Sequence, residues 1–167
     1  YKGEKVKKMR ASHEFPPVFD ENSEILILGS FPSVKSRQES FFYANPQNRF
    51  WKLMAQLLNE STPKDTKDKI VMLKKHKIAL WDVIESCDIV GSSDSSISNV
   101  VPVDISQILS KANIIKVYAN GGKAFELYNK YLYPKTKLDI TKLPSTSPAN
   151  AGYSFDKLLS EWKKILE

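Results

Sequence analysis

Three carboxamides crowd into four positions of the segment FFYANPQNRFWK, residues 41–52, where Asn45, Gln47 and Asn48 surround Pro46 and aromatic residues lie on both sides. A turn uses Pro46 and one asparagine, but it has no need of Gln47 and Asn48 as well. An amide carries an uncharged acceptor and two donors on one side chain, so the surplus suits hydrogen bonding to water or to a polar ligand. Three further stretches offer small, polar or imide groups: GSFPS at 29–33, NGGKA at 120–124 and LPSTSPANA at 143–151. Each has a plain structural explanation when taken alone. GSFPS can be a tight exit from a buried strand. NGGK can be a strand-to-helix turn whose glycines avoid a clash, since the full phosphate-loop pattern is missing. PSTSP can be an ordinary loop before a helix.

One domain's worth of chain has to position these segments. The 167 residues are enough for one well-filled core and hardly for two. A hydrophobic fraction of 41% with three tryptophans argues against disorder. No apolar run approaches the roughly 20 residues of a membrane span, so a soluble, cytoplasmic protein without membrane association is expected. The single cysteine, Cys87, excludes an internal disulfide, and with only His13 and His76 beside it there is no zinc or iron–sulfur ligand set. Any chemistry is therefore expected to run without a cofactor or a protein-held metal. The net charge of +6 favours polyanionic partners. Many of the lysines, as in PKDTKDKIVMLKKHK at 63–77, serve equally well as a solvated helix face. Residues 1–12 read as a basic N-terminal arm or an expression remnant without the apolar stretch of a secretory signal, and residues 13–167 as a single domain.

The apolar runs alternate in type along the chain. EILILG at 24–29 is short, unbroken and rich in isoleucine and leucine, as a strand buried on both faces of a parallel sheet should be. KIALWDVI at 77–84 and NIIKVYA at 113–119 read the same way, and TKLDITKL at 136–143 reads as a weaker, half-exposed strand. Between them lie helical stripes over Arg49–Leu58 and Lys123–Leu132, and a last one of Phe155, Leu158, Leu159, Trp162 and Ile165 with Ser154 as its N-cap. The polar stretch GSSDSSISN at 91–99 reads as a loop. Strand and helix in alternation predict a three-layer α/β/α sandwich around a mostly parallel four-stranded sheet. The four polar loops would then emerge together at the carboxyl edge, where such sheets bind ligands.

In combination and at these spacings, GSFPS, NPQNRFW, NGGKA and LPSTSPANA closely resemble the uracil-DNA glycosylase superfamily, and within it the hypoxanthine-DNA (deoxyinosine) glycosylases. The resemblance runs from about His13 through the final helix. It implies a monofunctional, monomeric enzyme, which flips a nucleotide of single- or double-stranded DNA carrying a deaminated base and hydrolyses its N-glycosidic bond. The sugar passes through oxocarbenium character. Negative charge on the departing base must be stabilised and a water placed on the far face of the sugar.

The resemblance also implies roles for particular residues. Mismatch-specific uracil glycosylases have a motif like GINPG, whose asparagine positions water; this chain has Phe31 there, which cannot. In the hypoxanthine branch an essential asparagine lies further along, and that role falls to Asn48, with Asn45 second, acting through an amide carbonyl oxygen. Asn120 resembles the base-reading asparagine, and Gly29, Ser30 and Phe31 would border the flipped base, Phe31 either stacking on it or packing beneath the loop. The segment Pro144, Ser145, Thr146, Ser147, Pro148 and Ala149 would grip the phosphates with its hydroxyls and wedge into the helix, and Lys123 would add charge. The uracil-specific branch opens that motif with a histidine, replaced here by Leu143. For Asp82 and Asp94 the expected roles are capping or loop anchoring. Other readings are a uracil or mismatch glycosylase, a non-catalytic nucleic-acid binder stacking bases on Phe41, Phe42 and Tyr43, and a flavodoxin-like nucleotide enzyme.

Overall fold

The computed structural model describes residues 7–167. Four strands form the central sheet: β2 (Ile25–Gly29), β3 (Ile78–Asp82), β6 (Lys116–Asn120) and β7 (Ile140–Leu143), in the spatial order β3-β2-β6-β7. All three pairings are parallel. Leu26, Ile27 and Leu28 are wholly buried, so the central strand is covered on both faces, as its unbroken apolar run requires. The edge strand β7 shows Thr141 and Lys142 to solvent, which accounts for its weaker pattern. From β2 the chain goes to β3 on one side and later to β6 on the other. The carboxyl ends of β2 and β6 therefore flank a switch point, where a crevice forms.

Among the described residues seven α-helices complete the layers. After β2 come α1 (Val34–Glu39), α2 (Phe50–Leu57) and α3 (Thr66–Lys75); α4 (Ser106–Leu109) precedes β6; α5 (Gly122–Tyr131) and α6 (Tyr133–Thr136) precede β7; and α7 (Phe155–Trp162) closes the chain. The expected stripe of α2 is buried through Phe50, Leu53 and Met54. Ser154 caps α7, accepting a hydrogen bond from the Lys157 N–H at 3.1 Å. Helices α2 and α7 pack against each other, with the Phe50 and Trp162 rings 6.0 Å apart edge to face. Trp162 and Phe50 are both wholly buried. Truncating Phe50 to alanine would remove stabilisation on the order of 3–5 kcal/mol, since the cavity left behind adds to the lost burial.

A second sheet, β1 (Lys8–Ser12), β4 (Ile84–Val90) and β5 (Ser98–Pro102), is antiparallel in the order β1-β4-β5. It revises three expectations. The strand expected over 77–84 ends at Asp82, and at Val83 the chain leaves the parallel sheet for β4. The polar stretch 91–99 is a loop only in part, since Asp94–Ser96 make a 3-10 turn and Ser98 opens β5. The basic arm expected over 1–12 contains β1, held by Arg10, whose guanidinium donates to Ser86 Oγ at 2.9 Å and the Asn99 carbonyl at 2.6 Å; residues 1–6 lie outside the described residues. β1 is exposed but for Ala11, and β4 and β5 mix buried, half-buried and polar residues, so none shows the apolar run or clean alternation by which a strand is read. No helix among the described residues is long and apolar enough to cross a membrane.

Candidate active site

A cavity of about 280 Å³ opens where the loops after β2, β4 and β7 meet the ends of β3 and β6. A larger concavity of about 650 Å³ lies between α2 and α7, lined by Leu57, Leu159 and Lys163 among others. Its polar residues come only from α2, α7 and the residues after α7, whereas the smaller cavity draws amides, hydroxyls and two carboxylates from five separate segments of the chain. Chemistry belongs with the smaller one.

Thr146 ties one wall together. It is fully buried. Its N–H donates to Asn120 Oδ1 at 3.0 Å, and its hydroxyl accepts from Asn120 Nδ2 at 3.0 Å. The same hydroxyl donates to Asn48 Oδ1 at 2.8 Å, and its carbonyl accepts from the Arg49 N–H at 3.1 Å. Asn48 Oδ1 also accepts from the Phe50 N–H at 2.9 Å, capping the first turn of α2, whose N-cap residue Arg49 makes no side-chain cap bond. A backbone N–H can only donate, so these bonds fix the amide orientation of both asparagines. For Asn48 both lone pairs of the carbonyl oxygen are taken, and its Nδ2 is the group left for the cavity. Arg49 reinforces the wall by donating to the carbonyls of Tyr153 and Asn150, the latter at 3.1 Å.

The floor is different. Asp82 ends β3, is buried, and sets Oδ2 against His13 Nε2 at 2.8 Å. The Tyr43 ring stacks on Phe50 with centroids 4.3 Å apart. Its hydroxyl is buried without a hydrogen-bond partner. Burial first, then the charge of Asp82, pushes the phenol's pKa well above its ordinary value; the nearby Asn120 amide opposes this, although it does not reach bonding geometry. Both groups crowd Gly29, where a Cβ would stand 2.4 Å from Asp82 Oδ1 and 2.9 Å from the Tyr43 hydroxyl. A side chain at position 29 would displace one of them. Asp94, beyond, accepts from Ser30 Oγ at 2.8 Å. Burial raises its carboxyl's pKa, while the Ser30 bond and Lys123 pull it down. Asp94 is exposed as a residue, so solvent tempers the shift even though the carboxyl turns inward.

The expected residues are distributed unevenly. Asn45, Asn48, Asn120, Gly29, Ser30, Phe31, Ser145, Thr146, Ser147, Pro148 and Ala149 all line the cavity. Asn45 spends its Oδ1 on the Gln47 N–H at 2.9 Å, so it builds the turn around Pro46. Phe31 borders the cavity while packed in the core, with the Arg37 guanidinium 5.3 Å from its ring centre. Thr146, expected to face phosphates, has its hydroxyl engaged inside. Ser145 Oγ accepts from the Ser147 N–H at 3.1 Å and Ser147 Oγ from the Ala149 N–H at 3.1 Å, so both hydroxyls shape the loop while retaining their protons as donors. Pro144 lies outside the cavity, its carbonyl accepting from Trp162 Nε1 at 2.9 Å. Lys123 stands in the first turn of α5, near enough to act on Asp94. In NGGK the positive φ of 98° at Gly121 requires glycine, and a Cβ there would meet Ser145 at 3.2 Å. Phe41 and Phe42 are core residues, 7% and 1% exposed, which removes them as stacking platforms. Asp82 and Asp94, expected only to cap or anchor, also line the cavity, as does Tyr43, expected only as a stacking ring in the non-catalytic reading. The expected strand over 77–84 hides the end of β3 at Asp82, so the sequence holds no clear signal for it.

Comparison with known proteins agrees with this arrangement. The family model described as the Uracil DNA glycosylase superfamily matches residues 16–167. A hypoxanthine DNA glycosylase of Methanosarcina acetivorans is 36% identical over 155 residues, covering 90% of this chain and 95% of the relative. A hypoxanthine DNA glycosylase of Methanosarcina barkeri is 37% identical over 114 residues, covering 67% of this chain and 72% of the relative. A solution NMR structure from Methanosarcina acetivorans, provisionally assigned as a uracil DNA glycosylase, superposes with a TM-score of 0.76 at 34% identity, covering 92% of this chain and 97% of that one.

Proposed function

The chain belongs to the uracil DNA glycosylase superfamily, and from that premise we propose that it is a monofunctional DNA glycosylase that releases hypoxanthine from deoxyinosine in DNA. The observation that carries the reading is the fixed Asn48 amide, locked by the Phe50 N–H and the Thr146 hydroxyl at the edge of a cavity of about 280 Å³. Two relatives described as hypoxanthine DNA glycosylases support the choice of base. So do Phe31 and Leu143, which stand where the resemblance places the asparagine and the histidine of the uracil-directed branches.

Hydrolysis needs a water held at C1′ and a site that favours positive charge on the sugar. Asn48 holds the water by donating from Nδ2, its carbonyl oxygen being engaged. Asp94, which lines the cavity with Oδ1 anchored by Ser30, acts as a carboxylate that favours the oxocarbenium and takes the proton the water loses as its oxygen bonds C1′. The electron pair of the broken C1′–N9 bond leaves with the base, which is reprotonated from solvent. Asn120 holds Thr146 and offers its remaining amide proton to the base. The Ser145 and Ser147 hydroxyls, with Lys123, contact phosphates, and Pro148 with Ala149 enters the duplex beside the flipped nucleotide. The enzyme acts as a monomer on duplex DNA.

A duplex with one deoxyinosine, incubated without added metal and then treated with alkali, tests the reading. Strand scission at the lesion is expected. An intact strand after long incubation with excess protein would overturn it.

A further inference from the structure

We propose that Tyr43 and Asp82 form a donor–acceptor pair that reads the C=O/N–H edge which deamination creates on a base, and so separates a deaminated base from its amino parent. The proposal rests on reading the cavity as the seat of a flipped deaminated base.

The Tyr43 hydroxyl is a buried donor with no acceptor among the described residues. A group left so costs stability unless something fills its bond, and in a native fold it calls for an explanation. The chain nevertheless holds Tyr43 there, with its backbone in the left-handed region at φ 51°, uncommon for a bulky residue. Asp82 contributes the complementary group. His13 Nε2 occupies Oδ2 at 2.8 Å, which fixes the carboxylate plane, and Oδ1 turns toward Gly29 and the cavity. Oδ1 makes no hydrogen bond to any described residue. The absence of a side chain at Gly29 lets the hydroxyl and Oδ1 converge, since one added carbon would touch both. Both lie within 2.9 Å of one point, the place of a Cβ at position 29, so they converge on the same spot.

That pairing has a chemical meaning. Hypoxanthine, uracil and xanthine each place a carbonyl oxygen beside an N–H. Adenine and cytosine place an amino group beside a bare ring nitrogen. A phenol donates to the carbonyl, and an ionised carboxylate, an acceptor only, takes the N–H. The carboxylate faces the ring nitrogen of adenine or cytosine lone pair to lone pair, and turning the side chain gives no relief. An asparagine amide is less strict, because rotation exchanges its donor and acceptor. Guanine shares the deaminated edge, so its rejection falls to its 2-amino group and its stable pair with cytosine, which resists flipping.

The test uses duplexes carrying one 2′-fluoroarabino nucleotide, whose fluorine suppresses the oxocarbenium so that binding is read without cleavage. The base is hypoxanthine, adenine or unsubstituted purine. Wild-type protein is expected to prefer hypoxanthine over both others by about tenfold or more, as sites built to hydrogen-bond a polar edge do. Tyr43→Phe keeps the stacked ring; it should lower hypoxanthine affinity about five- to tenfold, leave purine unchanged, and melt no lower than wild type because the orphaned hydroxyl is gone. Asp82→Asn should instead raise adenine affinity and narrow the preference by a similar factor. Unchanged base preference in both variants, with each shown folded by thermal unfolding, overturns the pair. Equal losses on all three bases overturn it too. Failure of wild type to release hypoxanthine from an unmodified deoxyinosine duplex, with the binding preference intact, overturns the glycosylase reading and leaves the pair standing.

Discussion

The wall built on Thr146 and the floor built on Gly29 are neighbours in one cavity and follow opposite rules. In the wall every polar atom of Thr146 has a partner, and Asn48 and Asn120 are each bonded through it to loops distant in sequence. In the floor Tyr43 has no partner and Asp82 keeps one oxygen free. A fully satisfied buried network is rigid, because no alternative orientation offers the same bonds. An unsatisfied one stores binding capacity for what is absent. The wall holds its amides in fixed orientations, and the floor leaves a donor and an acceptor uncommitted to the described protein groups.

Removing the group the wall exists to hold should have the largest effect. Asn48→Ala is expected to slow the single-turnover chemical step about a hundredfold or more, by a similar factor on deoxyinosine and deoxyuridine, while DNA binding and flipping persist. Near-normal rates would return the role to Asn45. Next comes the wall itself. Thr146→Val strips the hydroxyl from two asparagines and should lower stability by about 1–3 kcal/mol in denaturant unfolding, with a slower chemical step as well. Thr146→Ser should restore most of both, and if Thr146→Ser were as damaged as Thr146→Val, the hydroxyl would not be the connection.

The pH profile sharpens the contrast between wall and floor. Burial raises the pKa of Asp94, so its protonated form persists to higher pH than an ordinary aspartate's. An activity that needs the carboxylate should therefore fall on the acid side at a pH above the usual aspartate range, and Asp94→Asn should be slow throughout with that limb abolished. For folding the sign is opposite: the raised pKa favours the neutral carboxyl, so its stabilisation is present at low pH and lost as pH rises through the folded value. Asp94→Asn should accordingly melt no lower than wild type near neutrality, and a large drop would point to an anchoring role. The smallest effect belongs to the rim. Ser147→Ala should weaken duplex binding a few-fold without changing lesion preference, since phosphate contacts position but do not specify. A changed preference, measured by competition between lesions, would move Ser147 into the base site.

By itself the sequence determined the parallel sheet and the meeting of four loops at its carboxyl edge, because runs such as ILILG and a stripe such as Phe50, Leu53 and Met54 are buried by local periodicity alone. It also marked Asn48 and Asn120, which the fold brings to the same cavity. Only the tertiary structure decided what those amides face. Asn48 and Thr146 are 98 residues apart along the chain, and nothing local tells that a threonine in a polar loop turns inward and occupies the carbonyl expected to hold water. The same holds for Asp82 and Tyr43, which a sequence reading sees as an interior position of a strand over 77–84 and one ring of an aromatic cluster. The bend at Val83, the glycine at 29 and the left-handed backbone at 43 bring them together. Periodicity reports which face of an element is buried; the partner of a polar atom depends on contacts between elements, and these exist only once the chain has folded.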